Sequence, residues 1–220
     1  MLEPLVLYMD AFWCSPWDAT VHVALREKGL SFHTSISMMG PGVGVGEAML
    51  ERTYTGTAPV LQHGSFWVAE SLAIVEYLDE AYPPPQWPGI LPDDVRDRAR
   101  ARQLLSWLRA SLEPLRRERP IEAILYRTRA VPPPLSPAAA KVAERLVRVA
   151  ERLGAGPSGC LLGGRFGAVD VEMAFALMRL VWAGAPVPGA VAAYATAVWD
   201  RPSVREFVDH PRPPYAPPVA

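Results

Sequence analysis

A serine followed by proline, at the start of a predicted helix, is one place in this sequence where chemistry could occur. Ser15 is a favoured N-cap residue, Pro16 suits the first helical position, and Asp18 stands at the third, where it would complete a capping box. Capping alone would explain Ser15. However, unpaired amides at a helix start favour anions, and the hydroxyl could donate to a bound thiolate. A hydrogen bond to a charged group contributes about 1.5 to 3 kcal/mol, or about one to two pKa units, which brings an ordinary thiol close to neutrality.

Cys14 directly precedes this serine and is a second candidate nucleophile. A cysteine at a helix start can acquire a low pKa and take part in disulfide exchange. Position 17 is Trp, so a Cys-x-x-Cys pair is absent here and an exchange would use this one cysteine. The alternative interpretation is a small buried hydrophobic residue.

Two further motifs suit a peptide-like ligand. Pro59 opens a predicted strand, and most X-Pro bonds are trans. A cis bond would instead turn the neighbouring amide and carbonyl toward a ligand, which they could pair with as an added strand does. Glu70 and Ser71 follow a predicted strand. Ser71 could simply cap a helix, or it could hold a carboxylate while Glu70 pairs with an ammonium, which suits an amino-acid-like terminus.

The elements that would position these motifs change in type along the chain. Over residues 1–83 the predicted order is strand, helix, strand, helix, strand, strand, helix (βαβαββα), which indicates a small mixed sheet with helices on its faces. A glycine-rich run at 40–46 is predicted to be a loop. Residues 84–92 form a predicted linker. From residue 93 to 220 only helices are predicted, beginning with one long helix over 94–118.

Composition sets limits on the class of protein. The chain has 220 residues, of which 50% are hydrophobic and 20% charged, as in an ordinary globular protein. A formal net charge of −1 gives no indication of nucleic-acid or membrane binding. The four histidines form no metal-ligand pattern. Two distant cysteines and no recognisable signal peptide favour a cytoplasmic protein.

In this order and spacing the three motifs resemble the N-terminal domain of cytosolic glutathione transferases, and the similarity covers nearly the whole chain. The stretches that carry it are residues 15–16, 58–61 and 70–78. Within that superfamily the sequence is most similar to the YfcF-like bacterial enzymes, through residues 23–33, 98–103, 107–109, 116–120 and 198–204. The resemblance implies a thioredoxin-like N-terminal domain, an all-helical C-terminal domain and a homodimer.

The resemblance also implies the site residues. Pro59 would be cis, with Ala58 and Val60 backbone groups on the cysteinyl part of glutathione. Glu70 and Ser71 would hold its γ-glutamyl part. Ser15 matches the catalytic position of related classes, with Cys14 as the alternative. Two aromatic residues are candidates for an apolar second-substrate pocket, with core packing as the alternative interpretation: Trp13 and Trp107.

The implied activity is attack of a glutathione thiolate on an electrophilic or peroxide substrate held between the domains. Glutathione would be a co-substrate, and no tightly bound cofactor is expected. The first alternative is a glutathione-dependent disulfide reductase that uses Cys14. The second is a non-catalytic binding protein, because a fold does not determine its function.

Overall fold

The computed structural model describes residues 3–37, 47–128, 132–156 and 160–214, so the loop predicted over 40–46 lies outside the described residues. The chain divides into two compact units. The first comprises Met1–Ile90 together with Glu206–Ala220, and the second comprises Leu91–Arg205. The sequence predicts domains over 1–83 and 93–220 with a linker over 84–92, and these domain boundaries stay a prediction. The two compact units differ from them, because residues 84–90 and the C-terminal segment are grouped with the first unit.

The first unit contains a four-stranded sheet with helices, in the order predicted. The strands follow the spatial order β2-β1-β3-β4. β1 runs parallel to β2, whereas β3 is antiparallel to both β1 and β4. The elements are β1 Leu5–Asp10, α1 Pro16–Glu27, β2 His33–Ser37, α2 Glu47–Thr53, β3 Val60–His63, β4 Phe66–Ala69 and α3 Ser71–Ala81.

Alternating burial along β1 explains how the sheet holds α1 and α3. Leu5, Leu7 and Met9 are buried, as expected for a strand with one face on a core. α1 packs against β1 and α3. It contributes the fully buried Val21 and Leu25, and α3 contributes Ile74, Val75 and Leu78. These contacts fix the start of α1, which carries Ser15.

A buried ion pair explains why residues 83–90 belong with the first unit. Lys28 Nζ lies 2.8 Å from Asp79 Oδ1, and both side chains are fully buried. The ammonium also donates to the carbonyl oxygens of Tyr82 (3.0 Å) and Pro88 (2.9 Å). Asp79 in turn accepts a hydrogen bond from the Ile90 amide at 2.8 Å. The segment predicted as a linker is therefore tied to the ends of α1 and α3.

The second unit is helical. The single helix predicted over 94–118 is wrong, because α4 ends at Ser111 and α5 begins at Glu113. Pro114 has no N–H to continue the helical ladder, which accounts for the break. The helices after the sheet are α4 Val95–Ser111, α5 Glu113–Glu118, α6 Ile121–Leu125, α7 Pro137–Arg152, α8 Ala168–Trp182, α9 Gly189–Trp199 and α10 Pro202–Val208.

Asp170 organises the start of α8 in the second unit. Its Oδ2 accepts from the Gly167 amide at 2.9 Å, and its Oδ1 accepts from the Leu161 amide and the Tyr194 hydroxyl, each at 2.9 Å. Burial raises the pKa of this carboxyl to about 7. Asp170 therefore caps α8 by itself, which is the arrangement expected where glycine occupies the N-cap.

Two further properties apply to the described ranges. No helix in them is both long and apolar enough to cross a bilayer. Within the same ranges, His, Cys, Asp and Glu side chains form no group of three or more that could hold a metal ion.

Candidate functional site

The three sequence motifs meet at one end of the sheet. Tyr8 lies opposite Val60, and Val60 lies opposite Ala69 in the strand register. β1 and β4 end at or just beyond this row, and β3 begins in it. The segments that follow β1, precede β3 and follow β4 therefore lie at the same end of the sheet. They carry Ser15, Ala58, Pro59, Glu70 and Ser71.

Asp10 builds the loop that joins β1 to α1. Its Oδ1 accepts from the Phe12 amide at 2.8 Å. Its Oδ2 accepts from the amides of Cys14 and Ser15, each at 3.0 Å. The side chain is 8% exposed. One carboxylate thus organises three backbone donors directly before the predicted catalytic position, a role that sequence analysis missed.

Ser15 caps α1 as predicted, but only half of the expected capping box forms. Its Oγ accepts from the Asp18 amide at 3.2 Å. Asp18 does not return a bond to the Ser15 amide, because that amide donates to Asp10. The Asp18 carboxyl accepts instead from the Asp10 amide at 2.8 Å. Because the Ser15 oxygen is the acceptor in its bond with the Asp18 amide, the Ser15 hydroxyl proton remains available for donation.

Cys14 occupies a different environment from its neighbour. Its side chain is 3% exposed, whereas Ser15 is half-buried. The thiol donates a hydrogen bond to the Phe12 carbonyl oxygen at 3.2 Å. This arrangement fits the interpretation of Cys14 as a small buried residue rather than as an exposed nucleophile.

The peptide bond between Ala58 and Pro59 is cis, as the resemblance implied. Pro59 is buried, Ala58 is half-buried, and Val60 is fully buried as the first residue of β3. Ala58 packs against Val60 and Ala69. The segment is therefore held firmly in the sheet while Ala58 retains access to solvent.

Ser71 is not the N-cap of α3, as one interpretation of the sequence had it, because Glu70 takes that position. α3 begins at Ser71, and Glu70 is its N-cap residue, with φ of 70° and ψ of 111°. Ser71 is therefore the first helical residue, and it is 4% exposed. Glu70 is exposed, and its Oε1 accepts a hydrogen bond from Thr57 Oγ1 at 2.9 Å. Sequence analysis missed Thr57 as a partner of Glu70, although it lies next to the Ala58-Pro59 motif.

Trp13 is a core residue of the first unit. It is 4% exposed, and its indole stacks on the His210 imidazole with ring centroids 3.5 Å apart. Phe207 packs at 5.4 Å. Arg212 donates to the Trp13 carbonyl oxygen from Nε at 3.2 Å and from Nη2 at 3.1 Å. Core packing, the alternative interpretation, therefore fits Trp13, which joins the C-terminal segment to the loop before Ser15.

Arg212→Gln is expected to lower the free energy of unfolding by about 1.5 to 3 kcal/mol, the usual contribution of hydrogen bonds to a charged group. The guanidinium donates to four carbonyl groups, those of Trp13, Phe207, Val208 and His210. Urea denaturation measures the loss. Arg100→Gln is the control, because its side chain is 63% exposed in a surface ion pair. Equal changes in the two variants would contradict the role of Arg212.

Trp107 lies on α4 in the second unit and is half-buried. The Arg145 guanidinium lies 5.5 Å from the centroid of its ring. Its Nε1 is buried and has no hydrogen-bond partner among the described residues. Its place in a second-substrate pocket stays a prediction.

Comparison with known proteins identifies the family. The family model described as "Glutathione S-transferase, N-terminal domain" matches residues 11–86. The model described as "Glutathione S-transferase, C-terminal domain" matches residues 94–211. The chain therefore belongs to the glutathione S-transferase family, and the predicted fold, a thioredoxin-like domain followed by an all-helical domain, is confirmed.

Individual relatives agree with this assignment. A glutathione transferase homolog from Burkholderia gl BGR1, solved with bound glutathione, is 34% identical, with a TM-score of 0.73 over 94% of this chain and 97% of that one. Rice GST1 in complex with glutathione is 27% identical, with a TM-score of 0.68 over 94% and 92% of the two chains. Glutathione S-transferase 1 of Dianthus caryophyllus is 33% identical over 51% of this chain and 49% of its own length. The chain spans about half the length of the curated relatives it matches, or less.

Proposed function

We propose that this protein is a glutathione transferase in which Ser15 donates a hydrogen bond to the glutathione sulfur and holds it as a thiolate. The observation that carries the proposal is the state of Ser15: a half-buried hydroxyl at the start of α1, whose oxygen accepts from the Asp18 amide. Its proton is left for a ligand. The positive end of the α1 dipole acts in the same direction, because it favours an anion at this place.

The rest of glutathione would lie along the same edge of the sheet. Backbone groups of Ala58 and Val60, on either side of Pro59, would pair with its cysteinyl part, as an added strand does. The exposed Glu70 carboxylate would pair with the γ-glutamyl ammonium, and the buried start of α3 at Ser71 would hold the carboxylate. Each charged group of the γ-glutamyl end then meets a group of opposite polarity.

The proposed reaction is a nucleophilic substitution or addition. The glutathione thiolate forms a new bond from sulfur to an electrophilic carbon. In a substitution the leaving group departs with its bonding electrons, whereas in an addition the displaced π electron pair stays on the substrate and takes up a proton from water. Glutathione supplies the nucleophile, and the protein supplies orientation and stabilisation of the charged sulfur. Peroxides are a second proposed substrate class.

The disulfide reductase that would use Cys14 is a less favoured proposal. Reactive cysteines are partly exposed and lie in electropositive surroundings. Cys14 is 3% exposed, and its thiol donates to a carbonyl oxygen. We retain this activity only as an outcome of the assays below.

We also propose a subgroup, a source, an oligomeric state and a cellular location for this protein. The sequence stretches shared with the YfcF-like bacterial enzymes support membership of that subgroup, a bacterial source and a homodimer. The low number of cysteines supports a cytoplasmic location.

The proposal is tested with the purified full chain. Isothermal titration with glutathione should give saturable binding, and conjugation of chlorodinitrobenzene should follow at neutral pH. Turnover of a hydroperoxide and of a glutathione mixed disulfide is measured in parallel for wild type and Cys14→Ala. Binding without turnover of any of the three would indicate a non-catalytic binding protein. Absence of binding would refute the proposal.

Thr57→Val is expected to weaken glutathione binding by about two- to tenfold, because the lost hydrogen bond to Glu70 contributes about 0.5 to 1.5 kcal/mol at an exposed site. Without it, the carboxylate that would meet the γ-glutamyl ammonium is less well oriented. Titration calorimetry measures the change. Thr34→Val, at an exposed position of β2, is the matched control and should bind as wild type does. Equal affinities of the two variants would count against the role of Thr57.

A further inference from the structure

Asp18 is a buried carboxyl group with an unusual set of partners. It has no exposed surface, although it lies in the first turn of α1. Its Oδ2 accepts from the Asp10 amide at 2.8 Å. Its Oδ1 is also buried, and no N–H or O–H of the described residues donates to it. An ionised carboxylate left in this state would be strongly destabilising.

Asp10 has the opposite character. Both of its oxygens are used as acceptors, toward three backbone amides. A carboxylate is acceptor-only and has about four sites, so one remains open. The Asp10 backbone amide donates to Asp18, so the Asp18 carboxyl group lies beside Asp10 at the junction of β1 and α1. A hydrogen bond between two carboxyl groups requires one proton, and the three amides that donate to Asp10 favour Asp10 as the anion.

We propose that Asp18 is present as the neutral acid, that its hydroxyl donates to the Asp10 carboxylate, and that Asp18 is thereby a positioning residue for Ser15. The shared proton links the first turn of α1 to the loop that leaves β1. It also limits the pair to one negative charge near the place where the glutathione sulfur is proposed to be ionised. The catalytic part of this inference rests on the proposed function, whereas the location of the proton does not.

The electrostatics agree with the geometry. Burial raises the pKa of Asp18 well above its usual value, and the negative charge of Asp10 raises it further. Asp10, from the end of β1, is the charged group that acts on Asp18. The hydrogen bond from the Asp10 amide to the Asp18 carboxyl acts in the other direction.

The same substitution at both members of the pair tests which one carries the proton. Asp18→Asn keeps a donor for Asp10 and an acceptor for the Asp10 amide, so it should unfold within a few degrees of wild type. Asp10→Asn turns an amide NH2 toward backbone N–H groups, so it should lower the unfolding midpoint by about 5 to 10 °C. The inference is overturned if Asp18→Asn is as damaging as Asp10→Asn.

A pH series on the protein without glutathione gives a second test. Unfolded Asp18 loses its proton near pH 3.9, whereas the folded group keeps it to a higher pH. A raised pKa stabilises the fold at low pH and ceases to do so as the pH rises. Over this window the unfolding equilibrium constant of wild type, divided by that of Asp18→Asn, should rise about tenfold per pH unit. Asp170 titrates in both proteins and cancels. A ratio that stays flat as the pH rises above about 4 would overturn the inference.

Activity measurements distinguish a role of Asp18 in positioning Ser15 from a role in stability alone. Asp18→Val has a similar size but no donor, and it should lower kcat/KM for glutathione at least tenfold at a temperature where it is fully folded. Asp18→Asn should recover most of that loss. A Val variant as active as wild type would overturn the positioning role. If wild type itself neither binds nor converts glutathione, the proposed function fails, but the two stability tests still decide where the proton is.

Discussion

Ser15→Ala is expected to lower kcat/KM for glutathione by about 10- to 150-fold at neutral pH, because the lost hydrogen bond to the thiolate contributes about 1.5 to 3 kcal/mol. The pKa of the bound glutathione thiol should rise by about one to two units. The loss should therefore shrink as the pH rises and more of the thiol ionises without help. Ultraviolet titration of the bound thiolate and a pH profile of kcat/KM measure both effects.

A second N-cap serine provides a matched control for helix capping. Ser136 caps α7, and its Oγ accepts from the Ala139 amide at 3.3 Å, much as Ser15 Oγ accepts from the Asp18 amide. Ser15→Ala should lose about 1 kcal/mol of stability as a cap. Ser136→Ala should lose at least as much, because the Ser136 hydroxyl also donates to the Glu118 carboxylate. Ser136→Ala should keep its activity, because that residue has no part in the proposed site. If Ser15→Ala also kept its activity, Ser15 would be a cap only, and the thiolate would need another donor.

Lys28→Met is expected to lower the free energy of unfolding by about 3 to 5 kcal/mol, the usual cost of removing one partner of a buried ion pair. Asp79 would be left as a buried charge without the ammonium 2.8 Å away. The carbonyl oxygens of Tyr82 and Pro88 would lose their donor. Thermal or urea unfolding measures the loss, and residues 83–90 should become more sensitive to proteolysis.

Two further variants show whether the loss of stability in Lys28→Met comes from the broken ion pair. Lys141→Met alters an exposed lysine of α7 and should change stability by less than about 0.5 kcal/mol. The double variant Lys28→Met with Asp79→Leu should be more stable than Lys28→Met alone, because it leaves no unpaired charge. A single variant as stable as wild type would mean that the ion pair does not hold this segment.

Much of the fold followed from local patterns. Alternating or apolar runs predicted the four strands, and Ser15 with Pro16 predicted the start of α1, because each signal lies within a few residues of the element it defines. The single long helix over 94–118 is wrong because apolar spacing does not register Pro114: the stripe that predicts the helix ends at Leu112, and the structure begins a separate helix at Glu113. The cis bond before Pro59 was expected only through the family resemblance.

The candidate site was predicted in outline but not in its chemistry. The motifs at Ser15, Pro59 and Glu70 were recognised, and the strand register brings them to one edge. The capping box was wrong in one detail, because Asp18 bonds to the Asp10 amide instead of the Ser15 amide. Local capping rules consider only the helix itself, and the end of β1 lies outside their range.

By itself, the sequence determined the order of the elements of the first unit and the helix start at Ser15, and it supplied the motifs that we propose hold a tripeptide. Only the tertiary structure decided that Cys14 is buried and that Trp13 packs in the core, where it receives hydrogen bonds from Arg212, 199 residues later. It also decided which carboxyl accepts the amides before Ser15. The physical reason is distance along the chain: caps and strand patterns act between near neighbours, whereas burial, ion pairing and a shared proton depend on groups that folding alone brings together.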